Sequence, residues 1–197
     1  VVLVGNSGVG KTTLIQRYYE QNFTPDIRPT VGASYFSCKV KTNSGHEISM
    51  NIWDTAGQEK FQSLIPLYLR NAYVCILVFD LSVDNTVFEM ERLKKLASES
   101  ALEDCLYFFV GNKTDLISEN DIIERTKDIA SFANENCSTL YTTSAKTGEG
   151  VDNLFFQIAT ELENRAEIFA SRRKSIIDDI IEEDDKTNEL QEKKKCC

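Results

Sequence analysis

The sequence predicts an α/β fold of three layers, in which a six-stranded, mostly parallel sheet with one antiparallel hairpin strand carries helices on both faces. Three observations predict it. Apolar runs of strand length alternate with amphipathic stripes of helical period. The first run, Val1 to Val4, leads directly into the glycine-rich Gly5-Asn6-Ser7-Gly8-Val9-Gly10-Lys11-Thr12 and then into a helical segment. One pair of neighbouring runs is joined by a short polar turn, which accounts for the antiparallel strand.

In chain order, the strand candidates are Val1 to Val4, Tyr35 to Lys41, Glu47 to Trp53, Tyr73 to Asp80, Cys105 to Gly111 and Thr139 to Thr143. The second and third flank the turn containing Gly45 and form the hairpin. Helices are predicted where apolar residues recur at three- and four-residue steps. These stripes are Val87, Met90, Leu93 and Ala97; Ile122, Ile129 and Ala133; and Val151, Leu154, Phe155, Ile158, Ala159 and Leu162. They are core stripes. In a sheet of this kind ligands bind at the carboxyl ends of the strands, where the glycine-rich loop lies.

The loop's spacing is that of a phosphate cradle, so the expected fold is the P-loop NTPase α/β/α sandwich. Gly5, Gly8 and Gly10 let the backbone turn inward, so that N–H groups of the stretch from Ser7 through Val9 to Thr12 point at phosphates from the start of a helix. Lys11 adds a mobile positive charge, and Thr12 supplies a hydroxyl oxygen of the kind Mg²⁺ accepts. This motif alone leaves kinases, ATPases and GTPases open. Asp54, in Asp54-Thr55-Ala56-Gly57-Gln58, is expected to emerge after a strand ending at Trp53 and to hold Mg²⁺ through water. Gly57 brings a backbone N–H to the terminal phosphate, and Gln58 carries a donor and an acceptor suited to orienting an attacking water.

Base choice is expected from Asn112-Lys113-Thr114-Asp115, after the apolar strand Leu106 to Val110. Guanine presents two adjacent N–H donors, and the Asp115 carboxylate accepts both; adenine would leave that carboxylate unpaired, a mismatch that discriminates by roughly 10⁴ or more. Ser144-Ala145-Lys146 closes the pocket, with the Ala145 N–H open to the guanine carbonyl oxygen.

Composition limits the alternatives. A chain of 197 residues holds one well-buried domain plus a tail. The formal net charge of −9, with positive residues scattered apart from short runs near the end, argues against nucleic acid as a partner. No stretch approaches the roughly 18 apolar residues of a membrane-spanning helix. Val1 already lies in a strand candidate without a preceding Met, so residues upstream of it are expected. Cys38, Cys75, Cys105 and Cys137 are irregularly spaced, as in a reduced cytosolic interior, and His46 lies in a turn without a companion ligand.

With these motifs in this order, the chain resembles small GTPases of the Ras superfamily and, within it, the Rab family, from residue 1 to about residue 170. The Rab likeness rests on Gly32-Ala33-Ser34-Tyr35-Phe36, Lys60-Phe61-Gln62-Ser63-Leu64, Tyr68-Leu69-Arg70-Asn71-Ala72, Leu77-Val78-Phe79-Asp80-Leu81-Ser82 and Cys196-Cys197. The resemblance implies that Thr30 is the first-switch threonine that ligates Mg²⁺ and senses the γ-phosphate, and that Gly57 to about Arg70 is the second switch. It implies that Phe23 lies against the guanine and that Thr13 contacts the α-phosphate. Lys11, Thr30, Gly57 and Gln58 would then serve GTP hydrolysis. Lys60, Leu69 and Asn71 depart from the residues usual in Rab proteins, and all border the second switch, where they bear on partner choice. Gly32 to Tyr35 resembles an endosomal subgroup, whereas Leu64-Ile65-Pro66 with Tyr68 resembles a Golgi subgroup.

The expected organisation is therefore a GTPase domain over residues 1–170 and a disordered tail over 171–197. The tail mixes Arg172-Arg173-Lys174, an acidic stretch from Asp178 to Asp185 and Lys193 to Lys195. Ile176, Ile177, Ile180 and Ile181 would form an apolar stripe if the segment became helical on a partner. By resemblance, Cys196 and Cys197 are the signal for double geranylgeranylation, and two chains anchor where one binds only reversibly, at about 0.8 kcal/mol per buried CH₂. The implied function is a monomeric, membrane-trafficking switch on the cytosolic face of an endosomal, Golgi or vesicle membrane, cycling with the cytosol. Its implied partners are GTP and GDP, an exchange factor, an activating protein, effectors, and prenylation escort and dissociation-inhibitor proteins. Two other readings of the residues are a metabolic phosphotransferase and a module that binds GTP without turning it over; outside the Rab family, a Ras-superfamily signalling GTPase is the alternative.

Overall fold

A computed structural model of the chain describes residues 1–25, 28–83 and 86–171. Its six strands are β1 (Val2–Val4), β2 (Ala33–Lys41), β3 (Glu47–Thr55), β4 (Val74–Asp80), β5 (Leu106–Asn112) and β6 (Leu140–Thr142), in the sheet order β2-β3-β1-β4-β5-β6. Every pairing is parallel except β2 with β3, the expected hairpin, which runs in register from Ala33 opposite Thr55 to Lys41 opposite Glu47. The helices are α1 (Lys11–Glu20), α2 (Ile65–Leu69), α3 (Thr86–Ser98), α4 (Glu119–Glu135) and α5 (Val151–Asn164).

Central strands read as continuous apolar runs because both of their faces are covered. From β1 and β4, Val2, Val4, Cys75, Leu77 and Phe79 enter one core with Leu69 of α2, Met90 and Leu93 of α3, and Ile129 and Ala133 of α4. The alternate residues Leu3, Val74, Ile76 and Val78 are equally buried but lie outside that cluster. Leu14 and Ile15 of α1 and Leu154, Phe155 and Ile158 of α5 are buried apart from it as well, with Tyr18 stacked on Phe155 at 4.1 Å between ring centroids. Two covered faces are what place all the loops of one sheet edge in reach of one another.

Several boundaries differ from the sequence expectation. β3 does not end at Trp53 but runs to Thr55, because Asp54 pairs with Ser34 on one side and Leu3 on the other. Asp54 is thus fully buried inside the strand rather than emerging from its end. Ile122 and Leu162, predicted for core stripes, are only half-buried. The 3-10 helix Glu59–Leu64 and α2 carry no periodic signal that predicts them.

Residues Val1–Thr160 form one compact unit, and a second unit begins at Glu161. In the second, residues 166–171 are helical. The predicted tail from residue 172, with its isoleucine stripe, Cys196 and Cys197, lies outside the described residues.

Candidate nucleotide site

Three strands of the first unit end in the loops that carry the predicted site: β1 runs into the glycine-rich loop, β3 into Gly57 and β5 into Lys113 to Asp115. β6 is followed by Thr143 and Ser144. The first loop bends as its glycines require. Gly10 caps α1 at φ 97°, and a Cβ there would lie 2.4 Å from Asn112 Nδ2, so both conformation and space select glycine. No side chain caps α1, which leaves its first backbone N–H groups directed into the loop.

A cavity of about 230 Å³ opens there, and it brings together residues from three distant segments. Ser7, Gly8, Gly10, Lys11, Thr12 and Thr13 line it from the loop and α1; Thr30 comes from the segment before β2; Gly57 and Gln58 come from the segment after β3. Arg28, which the sequence reading did not single out, lines it too and is solvent-exposed. Val9 stands behind this wall, buried, with its carbonyl accepting from Asn112 Nδ2 at 2.9 Å.

Lys11 is not the mobile charge expected of it. Its Nζ donates to the Gly5 carbonyl at 2.7 Å and to the Asn6 carbonyl at 2.9 Å, within its own loop. Burial lowers its pKa to about 8, against the opposing pull of the Asp54 carboxylate. An ammonium that has lost most of its hydration and holds only carbonyl dipoles is a strong site for a phosphate.

Thr12, Thr30 and Asp54 meet at one point. Thr12 Oγ1 donates to Asp54 Oδ2 at 2.6 Å, lies 2.8 Å from Thr30 Oγ1, and Thr30 Oγ1 reaches the same carboxylate oxygen at 3.3 Å. Burial raises the Asp54 pKa, countered in part by the bond from Thr12, the Lys11 charge and the bond from Thr30. Its other oxygen, Oδ1, is buried with no hydrogen-bond partner among the described residues. A buried carboxylate oxygen left bare beside two hydroxyls is a hard-oxygen donor set of the kind that Mg²⁺ takes. The set fits the ion.

Gly57 is required by proximity rather than by its dihedrals. A Cβ on it would sit 2.4 Å from the carbonyl carbon and oxygen of Asn6 and 2.5 Å from Ser7 N. The backbone after β3 is thereby seated directly on the phosphate loop. Gln58 follows in extended conformation at the start of the 3-10 helix and lines the cavity.

On the other side of the loop lies the expected base reader. Asp115 sits in the 3-10 helix Thr114–Leu116 with its side chain 11% exposed. Ser144 Oγ donates to Asp115 Oδ1 at 2.6 Å, and Lys146 Nζ, largely exposed, lies 3.6 Å from Oδ2. Ser144 thus fixes the rotation of the carboxylate. The Ala145 N–H, expected to be open to a guanine carbonyl, instead donates to Asn112 Oδ1 at 3.1 Å. Lys113 adopts a left-handed conformation at φ 69° and its Nζ pairs with Asp80 at 2.7 Å. Phe23, half-buried, does not line the phosphate cavity, and its own N–H bonds Asn22 Oδ1 at 2.9 Å.

Asn112, expected as part of the base-reading motif, bonds Val9, Thr143 and Ala145 together, a bracing role between the loops after β1, β5 and β6 that the motif does not reveal. Arg17 of α1 donates to the Thr147 carbonyl at 2.6 Å and fills the space a Cβ of Gly148 would need. No spacing rule marks the Arg17 contact or these Asn112 bonds, since each joins segments far apart in the chain.

A family model described as the Ras family matches residues 1–164. Among curated proteins, Ras-related protein Rab-22A of Homo sapiens is 34% identical over 163 residues, covering 82% of this chain and 82% of that protein. The GTP-binding protein ypt5 of Schizosaccharomyces pombe is 35% identical over 162 residues, 82% of this chain and 76% of its own. Ras-related protein Rab-17 of Mus musculus is 38% identical over 168 residues, 84% and 76% respectively.

Proposed function

Since the chain belongs to the Ras family and, within it, to the Rab-like small GTPases, we propose that its site binds GTP and GDP with Mg²⁺ and hydrolyses GTP to GDP and phosphate as a trafficking switch. The observation that carries this reading is the convergence of Thr12, Thr30, Gly57 and Gln58 on the cavity above Lys11. A triphosphate seated there touches both mobile segments through its last phosphate. Loss of that phosphate removes the contacts, and the segments loosen.

Each residue has a distinct task in this reading. The loop N–H groups and Lys11 hold the phosphates, with Thr13 beside the α-phosphate. Thr12, Thr30 and Asp54 would hold Mg²⁺, which when bound neutralises charge on the phosphate oxygens. Gln58 orients the attacking water with its paired donor and acceptor, and Gly57 offers its N–H to the γ-phosphoryl group that passes to the water as GDP leaves. Asp115, oriented by Ser144, reads guanine; Asn112, Lys113, Ala145 and Lys146 shape the pocket around it, and Phe23 is assigned the face of the base by family resemblance alone.

Regulation follows from the same site: an exchange factor reloads it, an activating protein speeds hydrolysis, and effectors read the docked switches. Membrane attachment is assigned to lipids on Cys196 and Cys197, handled by escort and dissociation-inhibitor proteins, with an endosomal or Golgi membrane as the destination. No helix among the described residues is long and apolar enough to cross a membrane. The test is to load the purified full chain with GTP or ATP and follow products. Phosphate released to water from GTP alone supports the proposal; equal use of ATP, or transfer to a small-molecule acceptor, overturns it.

A further inference from the structure

The phosphate loop is tied to the second switch by four side chains that the proposed chemistry does not use. Asn6, the second residue of the loop, donates from Nδ2 to Glu89 Oε2 at 2.8 Å and accepts at Oδ1 from Arg92 Nη2 at 2.9 Å. Arg92 also donates to Glu89 Oε2 from Nε at 3.2 Å and from Nη2 at 3.0 Å. Its remaining terminal nitrogen, Nη1, reaches Gln62 Oε1 at 3.4 Å. Glu89 and Arg92 lie one turn apart on α3, and Gln62 lies in the 3-10 helix Glu59–Leu64. The bond from Asn6, with Arg92 beside it, keeps the Glu89 carboxyl below its ordinary pKa, so the pair stays ionised.

This arrangement holds Asn6 from two directions. Its backbone carries Gly57 at van der Waals limit, and its side chain is clamped by α3. Of the two side chains that clamp Asn6, Arg92 is the one that spans from the loop to the second switch. The planar guanidinium makes that possible by serving Glu89, Asn6 and Gln62 from different edges, which a lysine ammonium on a flexible stem does not reproduce.

In the structure Thr30 lies beside Thr12, and Arg92 reaches Gln62 with the two segments in that same arrangement. The Asn6–Glu89–Arg92 bonds join two rigid elements and have no reason to change when the switches loosen. A contact present in one state only shifts the balance between states by its own free energy. We infer that Arg92 is a positioning residue that couples the second switch to the phosphate loop and selectively retains the triphosphate state. The inference rests on the proposed GTP switch.

The test measures dissociation of fluorescent GDP and of a fluorescent non-hydrolysable GTP analogue from the full chain in Mg²⁺. With Arg92 and Glu89 about a third exposed, the bond to Gln62 is partly screened. Arg92→Ala should then speed release of the triphosphate analogue about threefold to tenfold and of GDP less than about twofold. Gln62→Ala should reproduce the selective effect, the double variant should be no faster than Arg92→Ala, and Arg92→Lys should not restore retention. Equal acceleration of both nucleotides would reduce Arg92 to a structural prop and overturn the inference, as would no change. Should Arg92→Ala fail to fold, Gln62→Ala, confined to the 3-10 helix, decides on the same criterion. A wild-type chain that holds neither nucleotide sinks the GTP-switch proposal and the inference with it; a wild-type chain that binds both, with unselective variants, sinks only the inference.

Discussion

Replacing Asp115 by Asn tests the base-reading geometry most directly. The carboxylate is mostly shielded from water, and Ser144 Oγ at 2.6 Å sets its rotation. Guanine offers N–H groups at N1 and at the exocyclic amine. Asn keeps one acceptor oxygen and turns the other into an NH₂, so one charge-assisted bond becomes a neutral one and the second becomes donor against donor. A hydrogen bond to a charged group contributes about 1.5–3 kcal/mol and a neutral one about 0.5–1.5, so losing one and weakening the other costs about 2.5–4.5 kcal/mol, or roughly 10²–10³ in affinity for GTP. Xanthine carries a carbonyl where guanine has the amine, and the Asn NH₂ then faces an acceptor. Lys146, more than half exposed, is too well screened to reverse this order. Competition of GTP, XTP and ATP against a fluorescent GDP on the full chain reads the preference. The variant is expected to favour XTP over GTP; retention of the wild-type preference for GTP would refute the assignment of Asp115 to the base.

Gln58→Leu should slow GTP hydrolysis in single-turnover assays while leaving GTP affinity within about threefold, because it removes the water-orienting amide and no phosphate contact; an unchanged turnover rate excludes that role. Chelating Mg²⁺ with EDTA should accelerate nucleotide release, and Asp54→Ala should blunt the difference between release with and without the metal; equal acceleration in both proteins would show that Asp54 takes no part in holding it. Burial works against ionisation of Asp80, yet the bonds from Lys113 and Ser82 outweigh it and hold the carboxyl below its ordinary value of 3.8. A depressed folded pKa gives stability that is present above 3.8 and lost as pH falls through the folded value. Asp80→Asn should therefore flatten the acid limb of the unfolding free energy, measured by urea denaturation at successive pH values; an acid limb as steep as wild type would exclude the contribution.

What the sequence makes legible here is what depends on neighbours along the chain. Six strands, the hairpin around Gly45 and the phosphate loop follow from patterns a few residues long, and the structure has all of them. What escapes is set by partners far away. Asp54 reads as a residue leaving a strand, but pairing to Ser34 and Leu3 on both sides holds it inside one and buries it. Ala145 reads as a free donor until Asn112 arrives from another strand end to occupy it. Lys11 reads as mobile because sequence does not reveal that its loop curls tightly enough to offer the Gly5 and Asn6 carbonyls. The Asn6–Glu89–Arg92 contact leaves no trace in spacing, since its members are separated by the whole of β2, β3 and β4.

Asn112 ties the loop proposed to bind phosphate to the loop proposed to read the base. Its Nδ2 donates to the Val9 carbonyl, and its Oδ1 accepts from both Thr143 Oγ1 and the Ala145 N–H. The amide plane thus fixes the distance between the phosphate loop and the loop that bears Ser144, and Ser144 in turn orients Asp115. Gly10 has to be glycine partly to let that amide approach. A buried polar group satisfied on every side is costly to disturb, because losing one partner strands the others. In the proposed function the grip on the phosphates and the choice of base therefore share one hydrogen-bonded element at the sheet edge, while Thr30, Gly57 and Gln58 line the cavity from the segments before β2 and after β3. On the proposed function, discrimination between bases rests on the half of the site braced by Asn112, and discrimination between di- and triphosphate on the half that carries Thr30, Gly57 and Gln58.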